Sequence, residues 1–210
     1  MIFSSREAAG VQLGQHLLKR GVEADIVLGL PRGGVVVAAE VAHILKLPLD
    51  VLVVRKIGHP QFREFAVGAL AEHGVVLLDR VAMEETRVSR SELEDVIAEE
   101  TERLKNYRAK FHHAAAPSLS GKNVLIVDDG LATGATTEAA VTSAREQGSA
   151  RVIVAAPVAS VTATDRLARI AREVIVLESD PDFAAVGQYY SSFSQTSDEE
   201  VLALLQAPAI

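Results

Sequence analysis

The fold is decided by the stretch Val124-Leu125-Ile126-Val127-Asp128-Asp129-Gly130-Leu131-Ala132-Thr133-Gly134-Ala135-Thr136-Thr137. Its first four residues are apolar, which is typical of a strand buried on both faces. Two aspartates follow where the strand should end, and a run of small residues and hydroxyls comes next. The Ala-rich residues 138–147 then predict a helix that ends at Gly148. The order is therefore strand, loop and helix N-terminus.

A loop of this kind can hold an anion. The first N–H groups of a helix lack intrahelical partners and carry the positive end of the helix dipole. Gly134 lets the backbone approach an anion closely, and Thr133, Thr136 and Thr137 add hydroxyl donors. The loop lacks the Gly-Lys-Ser/Thr of the P-loop and the spaced glycines of the dinucleotide fingerprint. The sequence thus predicts a phosphate site of another type.

The two aspartates limit the kinds of ligand that this loop can bind. Asp128 and Asp129 would repel a bare polyphosphate, but they can accept hydrogen bonds from hydroxyl groups. A ribose 5-phosphate has a phosphate at one end and free hydroxyls nearby, so it suits both halves of the motif. An acidic helix cap followed by an ordinary loop is the alternative interpretation, and the length of the motif disfavours it.

Residues 124–137 resemble the 5-phosphoribosyl-1-pyrophosphate (PRPP) signature of the type I phosphoribosyltransferases. The resemblance implies an α/β fold with a doubly wound, mostly parallel five-stranded core sheet and helices on both faces. It implies a single domain over residues 1–210, with a flexible flap at about 57–72 and a small C-terminal hood at about 179–210. The resemblance assigns the 5-phosphate of the donor to Ala132, Thr133, Gly134, Ala135, Thr136 and Thr137.

A second strand, loop and helix lie upstream. Residues 25–28 predict a buried strand, and an apolar helix is predicted from Val35 to about Leu45. Between them, glycine N–H groups and the Arg32 guanidinium suit a pyrophosphate, although a simple Gly-Pro turn is the alternative. In the family the loop after the first core strand binds pyrophosphate. The resemblance therefore assigns that group to Pro31, Arg32, Gly33 and Gly34.

The next predicted strand, residues 49–54, ends in two cations. Arg55 and Lys56 would then lie at the ligand edge of a parallel sheet. The family has a basic residue at the base of its flap that reaches the pyrophosphate, and both residues match by position. His59 and His73 are acid–base candidates, although a loop histidine is more often solvated. The catalytic residues implied by the resemblance are Asp128, Asp129, Arg32 and Lys56.

The rest of the chain completes the alternation of strands and helices. Residues 151–156 and 174–177 predict two more strands with a helix at about 163–172 between them, so the core strands lie near 26, 50, 124, 152 and 175. Residues 75–78 predict a short strand, and residues 89–113 an amphipathic surface helix. The tail resembles a hood that covers the base in this family. Its candidate base contacts are Phe183, Tyr189 and Tyr190.

Composition limits the classes of function. The chain has 210 residues, a net charge of −7 and no cysteine, and its pI is near 5.4. These values argue against a nucleic-acid partner, a disulfide and a thiolate metal site. The sequence has no apolar run of about 18 residues, so we expect no membrane partner. We expect a cytoplasmic protein, and the sequence allows a homo-oligomer without specifying one.

The predicted activity is transfer of the phosphoribosyl group from PRPP to a nucleobase or amine, with release of pyrophosphate. The resemblance implies Mg²⁺ as cofactor, held through the donor rather than by direct protein ligands, with a water-mediated contact to Asp128 as one option. A non-catalytic sensor of the same donor and a phosphosugar-binding module are the alternatives. Hypoxanthine-guanine enzymes have an aspartate at the position of Ala132 and a lysine after the next strand, which residues 156–160 lack. The acceptor is therefore left open.

Overall fold

The computed structural model describes residues 2–112 and 116–206. The strands in these ranges are β1 (Ile26–Gly29), β2 (Leu49–Val51), β3 (Val54–Gly58), β4 (Ala66–Ala71), β5 (Val75–Leu78), β6 (Asn123–Val127), β7 (Arg151–Ser160) and β8 (Glu173–Asp180). The helices are α1 (Arg6–Lys19), α2 (Gly33–Leu45), α3 (Arg80–Thr86), α4 (Glu94–Phe111), α5 (Ala135–Glu146), α6 (Val161–Ala168) and α7 (Asp198–Gln206).

The main sheet has the order β2-β1-β6-β7-β8, and every neighbouring pair is parallel. Strand β6 lies in the middle and its residues 124–127 are fully buried. Val124 and Ile126 pack against α5 and α6, whereas Leu125 and Val127 pack against α1 and α2. Side chains alternate between the two faces of a strand, so an apolar run covered on both sides requires helices on both faces. The predicted doubly wound α/β fold is confirmed.

The predicted strand at residues 49–54 is divided between two sheets. Strand β2 ends at Val51, and β3 begins at Val54 in a separate antiparallel sheet with the order β3-β4-β5. At the division, the Glu72 carboxylate is 2% exposed and accepts a hydrogen bond from Val53 N at 2.8 Å. Placing Arg55 and Lys56 at the end of a parallel strand was therefore wrong, because both lie within antiparallel β3.

Residues 57–72, the predicted flap, contain the end of β3, a loop and β4. The loop carries two exposed rings, Phe62 and Phe65, and its Arg63 pairs with Glu99 of α4 at 2.9 Å. The expectation of a solvated His59 was wrong, because this residue is buried and its ring lies against Phe62. His73 lies in a turn with a positive φ of 65°.

Several predicted bounds differ from the structure. The predicted helix at 89–113 consists of a short 3-10 turn and α4, and His113 lies outside the described residues. Helices α3 and α7 were not predicted. Strand β7 continues to Ser160, where it still pairs with β8, and Ala159 also pairs with Leu131. Of the predicted hood, residues 207–210 lie outside the described part of the chain. Among the described residues, no helix is long and apolar enough to cross a membrane.

Candidate functional site

The two predicted loops meet at the carboxyl edge of the main sheet. Gly29 of β1 pairs with Val127 of β6, so the segments that follow both strands are neighbours. A Cβ atom placed on Gly33 would lie 2.1 Å from Asp129 Oδ2, and one placed on Gly34 would lie 2.7 Å from Asp128 Oδ1. Only glycine leaves room for the start of α2 beside the acidic pair. The first turn of α2 and the aspartates therefore form one site.

Each aspartate uses one carboxylate oxygen within the protein. Asp128 Oδ1 accepts from the Asp129 N–H at 2.9 Å, and Asp129 Oδ2 accepts from Arg6 Nε at 2.7 Å. Among the described residues, the one further contact of these carboxyls is with each other, since a protonated Asp128 side chain can donate to Asp129. One acceptor on each aspartate is thus available to a ligand.

The environment of the pair disfavours its negative charge. Burial raises the pKa of the Asp128 carboxyl well above its usual range, and the neighbouring Asp129 raises it further. Burial also raises the pKa of Asp129, although its hydrogen bond from Arg6 opposes the rise. Such a pair titrates as a unit. A positive charge that develops nearby would be stabilised by it.

Arg6 and the Tyr190 hydroxyl were not predicted from the sequence as parts of this site. Arg6 is the first residue of α1, and the Tyr190 hydroxyl donates to the backbone carbonyl of Asp129 at 2.6 Å. Arg6 lies 123 positions from Asp129, and no motif joins them. A lone arginine in the first turn of a helix gave no sequence signal for this contact.

The loop after the acidic pair is held in an open conformation. Gly134 has a φ of +73° and precedes α5, which begins at Ala135 instead of the predicted 138. Ser160 fixes the loop by donating its hydroxyl to the Ala132 carbonyl at 2.6 Å. Within the described residues, no group accepts a hydrogen bond from the backbone N–H of Ala132, Thr133, Gly134, Thr136 or Thr137.

The three threonines of the loop differ in exposure. Thr133 is exposed and Thr136 is half-buried, so both hydroxyls are within reach of a ligand. Thr137 is 1% exposed and belongs to the buried face of α5. Its backbone N–H can still contribute to an anion site at the start of the helix.

The upstream loop also has free donors. The backbone N–H groups of Arg32, Gly33 and Gly34 make no hydrogen bond with other described residues. The Arg32 guanidinium lies 3.6 Å from Asp198 at the start of α7. The peptide bond between Pro31 and Arg32 is cis.

The two cations of β3 differ in their contacts. The Arg55 guanidinium binds Glu100 of α4 at 2.8 Å and lies over the Tyr107 ring. Lys56 is exposed and makes no hydrogen bond or ion pair with other described residues, although its charge acts on Asp128. Lys56 is thus the cation of this pair that is free to bind an anion.

A cleft of about 590 Å³ joins these features. It reaches from the acidic pair, through Asp128, to the antiparallel sheet and α4. Its lining residues are Leu30, Pro31, Val54, Arg55, Lys56, Gly58, Arg63, Glu64, Glu99, Glu100, Arg103, Asp128 and Thr136.

The aromatic residues of the predicted hood are largely used inside the fold. Tyr189 and Tyr190 are both 6% exposed, and the Tyr189 hydroxyl donates to Asp180 at 2.6 Å. The Phe183 ring stacks on Tyr189 with ring centres 5.1 Å apart. Little of either tyrosine is accessible to a ligand. A role for these three rings in base binding stays a prediction.

The described residues contain no group of three or more His, Cys, Asp or Glu side chains that could hold a metal ion. The acidic pair supplies free oxygens, which suit Mg²⁺, but too few to form a complete site alone. The residues present therefore fit a Mg²⁺ ion that is bound mainly through ligand oxygens.

Comparisons with known proteins identify the family of this chain. The family model described as "Phosphoribosyl transferase domain" matches residues 7–192. Two curated relatives from Mycobacterium tuberculosis strains, "Putative phosphoribosyl transferase MT0597" and "Putative phosphoribosyl transferase Rv0571c", are each 43% identical over 205 residues. That alignment covers 97% of this chain and 46% of each relative, so the chain spans about half the length of the curated relatives it matches.

Solved structures include two informative neighbours. The crystal structure of TT1426 from Thermus thermophilus is 45% identical, with a TM-score of 0.78 and coverage of 98% of both chains. The protein AQ2163 from Aquifex aeolicus has a TM-score of 0.51 at 14% identity, covering 96% of this chain and 85% of that chain. The second likeness shows the fold alone. Because the family model matches most of the chain, this protein belongs to the phosphoribosyl transferase domain family.

Proposed function

We propose that the protein transfers the 5-phosphoribosyl group of PRPP to a nitrogenous base or amine and releases pyrophosphate. One observation carries the proposal: among the described residues, one oxygen of each aspartate has no N–H or O–H donor from outside the acidic pair, and these oxygens lie beside two loops in which several backbone N–H groups have no acceptor. A phosphorylated ribose with a pyrophosphate substituent offers hydroxyl donors to the first and anionic oxygens to the second. Buried or half-buried polar groups are normally paired, so this concentration of free groups indicates a polar ligand.

The donor is positioned by groups from three elements. The free N–H groups of residues 132–134, 136 and 137 and the Thr133 and Thr136 hydroxyls bind the 5-phosphate at the positive end of α5. Asp128 Oδ2 and Asp129 Oδ1 accept hydrogen bonds from the ribose hydroxyls. The loop of Pro31 to Gly34 and Lys56 bind the pyrophosphate, and Arg55 contributes less because Glu100 already pairs with it.

The reaction breaks the bond between the anomeric carbon and the pyrophosphate oxygen. A bond to the acceptor nitrogen forms, and the proton displaced from the acceptor leaves to water or to the departing pyrophosphate. Positive charge develops on the ribose as the leaving group departs with the bonding electrons. The acidic pair stabilises that charge, and the cations and N–H groups stabilise the negative charge on pyrophosphate. When bound through the donor and near Asp128, Mg²⁺ would neutralise part of the pyrophosphate charge.

The acceptor is not a 6-oxopurine under this proposal. Ala132 is exposed and has no acid–base group, and residues 156–160 supply no lysine to bind a purine oxygen. Polar recognition of a base edge is what separates good from poor acceptors. Hypoxanthine and guanine are therefore expected to react far more slowly than the true base or amine.

The test is to incubate the protein with PRPP, Mg²⁺ and a panel of bases and amines, and to follow nucleotide and pyrophosphate by mass spectrometry. Formation of one nucleotide with equimolar pyrophosphate supports transfer. Tight donor binding without any product would support the sensor alternative. Failure to bind PRPP would overturn both, and efficient synthesis of inosine or guanosine monophosphate would contradict the acceptor argument.

A further inference from the structure

The contacts around Asp129 form a closed ring. Arg6 Nε donates to Asp129 Oδ2 at 2.7 Å, and the guanidinium carbon lies 3.9 Å from the centre of the Phe193 ring. Phe193 is stacked on Tyr190 with ring centres 5.3 Å apart. The Tyr190 hydroxyl donates back to the Asp129 carbonyl at 2.6 Å. We call Arg6, Tyr190 and Phe193 the Asp129 clamp.

Both ends of the described chain anchor the clamp. The second side of the Arg6 guanidinium donates to the Ser194 carbonyl at 2.7 Å. Phe3 pairs with the strand-like segment at Tyr190, with its N–H donating to the Tyr189 carbonyl at 2.7 Å. Arg6, Phe193 and Ser194 lie just outside residues 7–192, which the family model matches.

We propose that Arg6, held by Phe193 and Tyr190, is a positioning residue that fixes the Asp129 carboxylate for a ribose hydroxyl. The inference rests on the proposed function for the identity of that hydroxyl. Arg6 binds only Oδ2, so Oδ1 stays available for the ligand. A fixed carboxylate loses less conformational freedom when the donor binds, and catalysis depends on such positioning.

The chemistry of the clamp requires arginine. A guanidinium can stack on an aromatic ring while it donates from two different nitrogens in one plane. Lysine retains the positive charge but is a point charge without this fixed fork. Two charged or titratable groups act on the Asp129 carboxylate, Arg6 and Asp128. The Tyr190 hydroxyl donates to the Asp129 backbone carbonyl, and the charge of Lys56 acts on Asp128.

The main test compares Arg6→Gln and Arg6→Lys with the control Arg20→Gln. Arg20 lies at the other end of α1 and pairs with Glu173 on the surface at 2.5 Å. Arg6→Gln should lower kcat by about ten- to a hundredfold, the loss expected for one charge-assisted hydrogen bond. Arg6→Lys should recover only part of kcat, and Arg20→Gln should match the unmodified protein. Full recovery by lysine would overturn the requirement for a stacked fork.

A second arm asks whether Arg6 acts through Asp129. The double variant Arg6→Gln/Asp129→Asn should be no slower than Asp129→Asn alone, because the clamp then has no carboxylate to fix. Additive losses would overturn the inference. Phe193→Leu keeps Arg6 and disturbs folding less than a change of Arg6, and it should also lower kcat. An unchanged kcat would contradict the role of the ring.

A third arm does not depend on activity. Carboxyl ¹³C NMR of the ligand-free protein should show the Asp128–Asp129 pair titrating at higher pH in Arg6→Gln than in the unmodified protein, since the variant loses a cation that lowers the pKa of both carboxyls. An unchanged titration would overturn the inference. If the unmodified protein makes no nucleotide from any acceptor, the proposed function fails, while this titration still decides the clamp.

Discussion

In the loops after β1 and β6, several backbone N–H groups and one oxygen of each aspartate have no N–H or O–H partner among the described residues. In residues 180–194, by contrast, the polar groups named above are bonded within the fold. The free oxygens of Asp128 and Asp129 are examples of the first. The Tyr189 and Tyr190 hydroxyls, bound to Asp180 and to the Asp129 carbonyl, are examples of the second. Unpaired groups at a cleft indicate ligand binding, and paired ones indicate support.

This comparison predicts that substitutions in the two regions will separate activity from stability. Changes in the loops should impair donor binding or turnover and leave folding almost intact. Changes to the bonded groups of the C-terminal segment should lower stability first.

The acidic pair should be the most sensitive position. Asp128→Asn with Asp129→Asn removes two charge-assisted acceptors, which is worth about 3–6 kcal/mol, or roughly a hundred- to ten-thousand-fold in kcat/KM. Steady-state kinetics and calorimetry with PRPP measure the loss. The control is Asp95→Asn on the exposed face of α4. Donor affinity equal to that of the control would remove the ribose assignment.

The free cation should come next. Lys56→Ala should lower turnover about ten- to a hundredfold, since one charged donor to the leaving group is lost. Binding of a nucleoside monophosphate should change little, because that product has no pyrophosphate. Lys105→Ala serves as control, since this exposed lysine pairs with Glu102 on the surface at 3.2 Å. Equal losses for the donor and the monophosphate would mean that Lys56 contacts another group.

Arg32→Ala should behave in the same direction with a smaller loss. The guanidinium is already near Asp198, so part of its charge is compensated before a ligand arrives. The ratio of turnover to monophosphate binding, measured as for Lys56, tests this order. A loss larger than that of Lys56→Ala would place Arg32 closer to the leaving group than its present partner suggests.

The phosphate loop allows a closely matched pair of variants. Gly134 and Gly121 both have a φ of +73°, and no atom lies within 4 Å of a Cβ placed on Gly121. Alanine at either position should cost about 1–2 kcal/mol of stability through left-handed strain. Only Gly134→Ala should also weaken ribose 5-phosphate binding, by about tenfold, because relief of the strain moves the free N–H groups. Equal binding by both variants would argue against a phosphate cradle.

The smallest effect on activity is expected for Tyr189→Phe. This change removes the hydroxyl that donates to Asp180 but keeps the ring against Phe183. The free energy of unfolding should fall by about 1 kcal/mol, measured by urea denaturation, and kcat/KM should be unchanged. A selective loss of activity at normal stability would show that the C-terminal segment does more than support the site.

Local sequence determined much of the proposed PRPP-binding site. Four apolar residues before two aspartates are typical of a central strand covered on both faces, and Gly134 with the hydroxyls after it indicates the start of a helix. The parallel sheet then brings the loops after β1 and β6 together, because the carboxyl ends of parallel strands share one edge. These features depend on residues that are adjacent in the chain, so the fold class was predictable.

Tertiary structure alone decided the remaining features. At the split between Val51 and Val54, the buried carboxylate of Glu72 binds the N–H of Val53, 19 positions away in the chain. The contact between Arg6 and Asp129 joins residues 123 positions apart. Neither distance is encoded by periodicity or by a local motif. Such pairings arise only when the packed sheets and helices bring the groups together, since a buried charge must find a partner that the folded chain can offer.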